Sequence, residues 1–245
     1  MRTSYWTIAP LGGLLLAAAG AAALAEEPPP PLPPPRPAAD APVPGAPPPL
    51  PPSRPESTPP SAGAAADPEE DGCLDRLTRL GAQFETRPDL SENECGVRNA
   101  VVLSKLPDGV ELSPPSLMTC RLAESLARWT VDAVTAEADR ILQRAPTKLV
   151  VGTTYQCRTQ RSGSKLSEHA FGNGVDVVGF TFQKGASVTI GSQPEGSPEA
   201  QFQDAVRKGA CAAFTTVLGP GSDADHGDHL HLDMRGRNGG YRICQ

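Results

Sequence analysis

The sequence is poor in several features, and each shortage argues against a class of protein. Lysine and arginine do not outnumber the acidic residues, and the net charge of −6 argues against a protein that binds nucleic acid through a basic surface. After the first 25 residues, no apolar run is long enough to cross a bilayer. The cysteines include no C-x-x-C pair, which argues against a zinc site built from cysteine. Only four histidines occur in 245 residues, so their positions are informative.

The first 70 residues divide into two segments that are not expected to build a core. Residues 1–25 have a positive start, an apolar run and a small-residue cleavage site ending at Ala25, which predict a secretory signal. A membrane anchor is the alternative interpretation of that run. Residues 26–70 contain PPPPLPPPRP and APPPLPPSRP, which favour polyproline II and predict a spacer. The spacer is either a plain linker or a tether to cell-wall material, and residues 71–245 are expected to form one domain.

All six cysteines follow the spacer. An even number of cysteines confined to the folded part of an exported chain predicts a domain stabilised by three disulfides. Their pairing cannot be deduced from the sequence. The cysteines are Cys73, Cys95, Cys120, Cys157, Cys211 and Cys244.

Apolar spacing predicts an α+β domain with a small, mostly antiparallel sheet and flanking helices. One helix is predicted from Cys73 and ends at Gly81. A second follows the sequence SPPS, with Ser113 or Ser116 as its cap, and its apolar face continues to Ile141. A third begins at Ser197-Pro198-Glu199, runs through Phe214 and Val217, and ends at Gly219. The predicted strands are AVVL, KLVVGTTY, GVDVVGF, ASVTI, HLHLDM and YRIC.

The four histidines fall into two short clusters beside acidic residues. In HLHLDM, strict alternation puts His229, His231 and Asp233 on one face of a strand and apolar residues on the other. In SEHAFGNGVD, the two glycines between His169 and Asp176 favour a turn that points both side chains at a common centre. Two histidines, one carboxylate and an open position are typical of a catalytic zinc site. The alternative is a set of surface histidines paired with aspartates for stability.

These motifs also carry a family resemblance. The segment SEHAFGNGVD resembles the S-x-H-x-x-G-x-A-x-D signature of the LAS group of zinc peptidases, which includes lysostaphin-type enzymes, D-Ala-D-Ala peptidases and the hedgehog signalling domain. The second cluster is similar to the three-histidine element of the penicillin-insensitive murein endopeptidases. Over roughly residues 70–245, the elements CGV, YQCR, VLGPG and the terminal IC resemble the bacterial extensin-like C-terminal domain.

The resemblance implies a LAS-type zinc peptidase core and assigns roles to the histidines. It implies that His169, Asp176 and His231 bind Zn²⁺. It also implies that His229 lies beside the metal and acts on the reacting water or on the oxyanion. His226 is a second candidate for that role.

Residues in the segment before His169 also have predicted roles. Arg158, in YQCRTQ, lies where related peptidases keep a basic residue that holds the substrate, although a surface arginine beside a disulfide is an equal alternative. Because Cys157 precedes it, one disulfide is expected to brace the substrate side of the site. Ser167 either orients a metal ligand or caps a turn.

The resemblance implies a zinc-dependent peptidoglycan hydrolase that is exported to the periplasm and associated with the cell wall. A D,D-endopeptidase that cleaves peptide cross-links is favoured over a D-Ala carboxypeptidase. Carboxypeptidase relatives place a glutamate shortly before the last histidine, whereas residues 221–245 contain none. An imidazole would replace it, because Asp225 and Asp228 are weak bases near neutral pH. A wall-binding protein with a purely structural zinc is the non-enzymatic alternative. A cell-envelope partner that activates the protein is a further prediction that the sequence does not decide.

Overall fold

A computed structural model of the chain describes residues 72–161 and 163–245. The predicted signal at residues 1–25 and the predicted spacer at residues 26–70 lie outside the described residues and stay predictions. Within the described ranges, no helix combines the length and the apolar character needed to span a membrane.

The described residues form an α+β domain. The α-helices are α1 (Cys73–Arg79), α2 (Cys120–Trp129) and α3 (Pro198–Ala213). The strands are β1 (Gln83–Thr86), β2 (Leu90–Glu92), β3 (Cys95–Val97), β4 (Ala100–Lys105), β5 (Glu111–Thr119), β6 (Pro146–Val151), β7 (Gly174–Phe182), β8 (Val188–Thr189), β9 (Thr216–Leu218), β10 (Leu230–Asp233) and β11 (Ile243–Cys244). Short 3₁₀ turns span Pro107–Gly109, Glu168–Phe171 and Asn238–Gly240.

Nine strands form one mixed sheet that is mostly antiparallel, as predicted, but larger than the small sheet expected from the sequence. The order is β1-β4-β5-β6-β7-β10-β9-β11, with β8 on β7, and β2 and β3 form a separate pair. The β5–β6 and β9–β11 pairings are parallel and the others are antiparallel. The sheet is larger than predicted because β1, β5 and β9 join it. The prolines of β5 had favoured a helix start at that position.

The start of the second helix also differs from the prediction. Ser113 and Ser116 lie within β5 and cap nothing. The cap is Thr119, whose Oγ1 accepts the N–H of Leu122 at 3.2 Å. Beyond α2 the chain stays helical through π-type turns to Leu142, which agrees with the predicted apolar face.

The third helix begins as predicted and ends earlier. The Ser197 side chain accepts the N–H of Ala200 at 3.1 Å and caps the first turn of α3. At Phe214 the backbone becomes extended, and Val217 belongs to β9. The apolar spacing of these two residues fits a helix, but it equally fits a short strand that pairs with β10.

An aromatic core joins the helices to one face of the sheet. The indole of Trp129, in α2, donates to the carbonyl of Val206, in α3, at 2.9 Å. Its ring centroid lies 6.1 Å from those of Phe180 and Phe214, and all three rings are buried. Because this face of the sheet is filled, polar residues that alternate with the core positions of β7 and β10 must lie on the opposite face.

Three disulfides are present, as predicted from the cysteine count. They are Cys73–Cys120, Cys95–Cys157 and Cys211–Cys244, with Cα–Cα distances of 6.2, 5.6 and 6.0 Å. The first joins α1 to the start of α2 and the third joins α3 to β11. The second joins β3 to the loop that precedes the His169 turn.

A buried carboxylate between the first two helices makes stability depend on pH. Arg76 Nε lies 2.9 and 3.0 Å from the two carboxylate oxygens of Glu124, and Arg128 Nη2 lies 2.7 Å from one of them. Burial raises the pKa of Glu124, but the hydrogen bonds from both arginines outweigh burial and lower it. The stabilisation is therefore present above pH about 4.5 and is lost as the pH falls further.

We expect Glu124→Gln to lower the free energy of unfolding by about 1–3 kcal/mol at pH 7. The loss should shrink at pH 3, where the wild-type carboxyl is also protonated. Urea unfolding at both pH values measures the effect. Glu85→Gln is the control, because Glu85 pairs with Arg87 on the surface and the change should cost well under about 1 kcal/mol. Equal losses for Glu124→Gln at both pH values would contradict the assignment.

Candidate metal centre

The register between β7 and β10 places His231 directly opposite Asp176. The neighbouring pairs, Leu230 with Val177 and Leu232 with Val175, have fully buried apolar side chains in the core. Because strand residues alternate between faces, the imidazole and the carboxylate share the other face. The predicted alternation of HLHLDM is confirmed.

A 3₁₀ turn delivers His169 to the same face. Ser167 Oγ accepts the amide N–H of His169 at 3.4 Å, so Ser167 caps the turn. Gly172 ends the turn with φ of 60°, as the prediction of a glycine hinge required. Gly174 does not share that conformation. It lies in β7, where a Cβ would come within 3.4 Å of His231 Cε1 and of the His169 backbone nitrogen.

Three nitrogen and oxygen atoms converge at this point. His169 Nε2 lies 3.1 Å from Asp176 Oδ1 and 3.2 Å from His231 Nδ1, and His231 Nδ1 lies 3.0 Å from Asp176 Oδ1. Among the described residues, this trio is the group whose geometry can hold a metal ion. His169 is only 1% exposed, which excludes the alternative of a surface histidine for this position. These are the three residues that the family resemblance implied as metal ligands.

In each histidine of the trio, the ring nitrogen that faces away from the centre makes a hydrogen bond. The Nδ1–H of His169 donates to the carbonyl of Thr154 at 2.7 Å. The Nε2–H of His231 donates to Asp233 Oδ2 at 3.2 Å. These partners fix the ring orientations and leave one lone pair of each imidazole for the centre, as is usual for metal-binding histidines.

The carboxylates and imidazoles of the cluster shift one another's pKa values. Burial raises the pKa of Asp176, but hydrogen bonds from His169 and His231 outweigh it and hold the pKa well below its ordinary value. Burial lowers the pKa of His231, but the hydrogen bonds to Asp176 and Asp233 raise it to about 9. Burial also raises the pKa of Asp233, and the hydrogen bond from His231 lowers it overall. A divalent cation that binds here would compete with the proton on His231.

The other two histidines lie beside the trio. His229 Nε2 is 3.7 Å from Asp176 Oδ1, while its Nδ1–H donates to Asp228 Oδ1 at 2.8 Å. The Nδ1–H of His226 donates to Asp223 Oδ1 at 2.6 Å. The His226 ring centroid is 5.2 Å from that of His229 and 5.7 Å from that of His231. All four histidines of the chain therefore meet at one place.

Two cavities extend from the cluster. The larger, of about 820 Å³, is lined by all three members of the trio and reaches Arg158. The smaller, of about 520 Å³, lies beside Gly152 and Gly227. The residues that line both cavities are Thr153, Arg161, Asp176, Asp225 and His229. Two adjoining cavities therefore reach the site, the larger at all three members of the trio and the smaller at Asp176.

Arg158 lines the cleft without contacting the trio. Its Nε donates to Gln156 Oε1 at 2.9 Å and its Nη1 donates to the Thr159 carbonyl at 3.3 Å. The neighbouring Cys95–Cys157 bridge anchors this loop, and the Gln156 amide donates to the His169 carbonyl at 3.1 Å. The bridge therefore lies where sequence reasoning expected it.

Some residues of the site were not predicted from the sequence. The Thr154 partner is a backbone carbonyl, which leaves no signature in residue types. Asp223 orients His226 through a loop whose shape the sequence does not specify. The alternation had already placed Asp233 on the same face as His231, and the structure adds its hydrogen bond to His231 Nε2.

Comparisons with known proteins support one family. The family described as Extensin-like protein C-terminus matches residues 71–245, well over half of the chain. No curated protein and no solved structure matches the chain significantly.

Proposed function

The chain belongs to the extensin-like protein C-terminus family, and from that premise we propose that it is a zinc-dependent peptidoglycan hydrolase with a LAS-type core. The favoured activity is a D,D-endopeptidase that cleaves peptide cross-links in the cell wall. The observation that carries the proposal is the convergence of His169, Asp176 and His231 in the lining of a cavity of about 820 Å³. The predicted secretory signal and spacer agree with a periplasmic, wall-associated enzyme.

The trio fits zinc by chemistry and by spacing. Zinc takes imidazole nitrogen and carboxylate oxygen at about 2.0–2.2 Å in a tetrahedral arrangement, which puts ligand atoms about 3.3–3.6 Å apart. The three separations of 3.0–3.2 Å lie just below that range. Bound there by His169, Asp176 and His231, zinc would supply a Lewis acid and lower the pKa of water at the site.

His229 is the proposed proton acceptor. Its Nδ1–H is held by Asp228, so the lone pair of the neutral ring is on Nε2, which faces Asp176. An imidazole titrates near neutral pH and can both accept and return a proton, as a general base must. His229 can therefore replace the glutamate that residues 221–245 lack. His226 lies next to it and helps to enclose the cleft.

The two adjoining cavities support internal cleavage. An endopeptidase must accommodate the peptide on both sides of the scissile bond, whereas a carboxypeptidase needs room for only one residue beyond it. The cavities of about 520 and 820 Å³ meet at Asp176 and His229. Arg158 in the larger cavity can hold a carbonyl or a carboxylate of the stem peptide.

Purified full-length protein incubated with cross-linked muropeptides tests the activity. Mass spectrometry should show cross-linked dimers converted to monomers with intact stems. A stem shortened by one D-Ala would instead establish a carboxypeptidase. A zinc-loaded protein that forms no product from any wall substrate would refute hydrolysis.

A wall-binding protein with structural zinc is the second candidate, and one distance favours it. His229 Nε2 lies only 3.7 Å from Asp176 Oδ1, so a small movement would make His229 a fourth protein ligand. Four protein ligands close a zinc site, as in structural centres.

The variant His229→Ala separates the two candidates. If His229 is the proton acceptor, the variant should keep stoichiometric zinc and lose about 10²–10⁴-fold in turnover. Elemental analysis and the muropeptide assay measure both quantities on one sample. Loss of zinc from the variant would instead assign His229 to the coordination sphere.

A further inference from the structure

Asp233 is a buried carboxylate that the proposed reaction does not use directly. It ends β10, two residues after His231, and its side chain is 6% exposed. One oxygen, Oδ2, accepts the Nε2–H of His231 at 3.2 Å. The other, Oδ1, accepts the backbone N–H of Arg235 at 3.0 Å. The two oxygens therefore have different and fixed partners.

A second set of hydrogen bonds holds Asp233 from the neighbouring strand. Thr216 is its cross-strand partner in β9, and the Thr216 side chain hydrogen-bonds the carboxylate. Arg237 Nη2 donates to Thr216 Oγ1 at 2.7 Å, and Arg237 Nη1 donates to the Thr215 carbonyl at 3.0 Å. Since Thr216 Oγ1 accepts from Arg237, its single hydrogen is available for Asp233.

The two histidines of the trio differ in the nitrogen that faces the centre. His169 presents Nε2 and is held by the neutral carbonyl of Thr154. His231 presents Nδ1 and is held by the charged carboxylate of Asp233. A carboxylate partner raises the basicity of a ligating imidazole more than a carbonyl does, because it stabilises positive charge on the ring.

We propose that Asp233, held by Thr216 and Arg237, is a positioning residue that fixes the Nε2–H tautomer of His231 and so directs Nδ1 to the metal. This inference rests on the proposed zinc site and assigns no contact between Asp233 and the substrate. A chain of hydrogen bonds thus leads from Arg237 through Thr216 and Asp233 to His231.

The variant Asp233→Asn tests the inference because its amide is nearly isosteric. The backbone N–H of Arg235 requires an acceptor, which keeps the amide oxygen at the Oδ1 side. The amide NH₂ then faces His231 Nε2 and favours the opposite tautomer, with hydrogen on Nδ1. Zinc affinity should fall by about 10–100-fold. Competition with a chromophoric chelator measures it.

Two further measurements distinguish positioning from general damage. In ¹⁵N-histidine NMR spectra of the zinc-loaded wild type, the Nδ1 of His231 should carry the metal-bound signature, and that signature should weaken in Asp233→Asn. Asp204→Asn, which removes the same charge from the surface of α3, should keep wild-type zinc affinity. Thermal unfolding in chelator checks that each variant is folded.

The outcomes separate the inference from the function on which it rests. Wild-type protein that binds no zinc would overturn the proposed zinc site. Wild-type protein that binds zinc, with Asp233→Asn equal to it in affinity and in the His231 resonances, would overturn the role of Asp233 alone.

Discussion

Replacing His231 with alanine should abolish both zinc retention and cross-link cleavage. His231 is one of three side chains at the centre, and its Nδ1 lies within 3.2 Å of the other two ligand atoms. The change also removes the imidazole that lies between the two buried carboxylates, so that Asp233 loses this partner and Asp176 keeps His169. Turnover on muropeptide dimers should fall below detection, a larger loss than the about 10²–10⁴-fold expected for His229→Ala.

His226→Ala is the matched control for this prediction. His226 lies in the same histidine group, but its Nδ1–H is committed to Asp223 and its ring is 5.7 Å from that of His231. The control should retain one zinc per chain by elemental analysis. Chelator treatment of wild type should reproduce the His231→Ala loss, and added zinc should reverse it only in wild type. Full activity of His231→Ala would contradict the ligand assignment.

Much of the site is predictable from the sequence because its signals are local. Strict alternation over HLHLDM assigns the faces of β10 without knowledge of the neighbouring strand. The spacing of His169 and Asp176 around Gly172 indicates a turn leading into a strand. These local patterns predict a site of two histidines and one carboxylate, and the family resemblance implied which three residues form it. The β7–β10 register then brings Asp176 and His231 together.

The unpredicted parts depend on contacts between distant segments. The prolines in β5 favour a helix start locally, but the pairing of this strand with β4 and β6 overrides that preference. Val217 fits a helical face, yet pairing with β10 makes it a strand residue. The carbonyl of Thr154 reaches His169 only because the loop before the turn folds back over it. Disulfide pairing is equally nonlocal.

Reduction of the three disulfides should unfold the domain or lower its melting temperature by about 20–40 °C. The bridges close segments with sequence separations of 33, 47 and 62 residues. Each bridge should stabilise the folded domain by about 2–4 kcal/mol, because it restricts the unfolded chain. Together the bridges should supply an amount comparable to the usual free energy of unfolding of a domain, about 5–15 kcal/mol. For a domain of this size, each kcal/mol corresponds to about 2–4 °C. Circular dichroism melts with and without strong reductant measure the change.

The paired variant Cys95→Ser with Cys157→Ser should affect the site as well as the melting temperature. This bridge holds the loop that supplies the Thr154 carbonyl and the Gln156 amide to His169. Without it, hydrogen exchange at the Gln156 amide should become faster and zinc affinity should fall. Cys73→Ser with Cys120→Ser is the control, because that bridge joins α1 to α2 and should lower the melting temperature with unchanged zinc affinity. Melting that is insensitive to reductant, or equal zinc affinity in both paired variants, would show that the bridges do not support the domain and the site in this way.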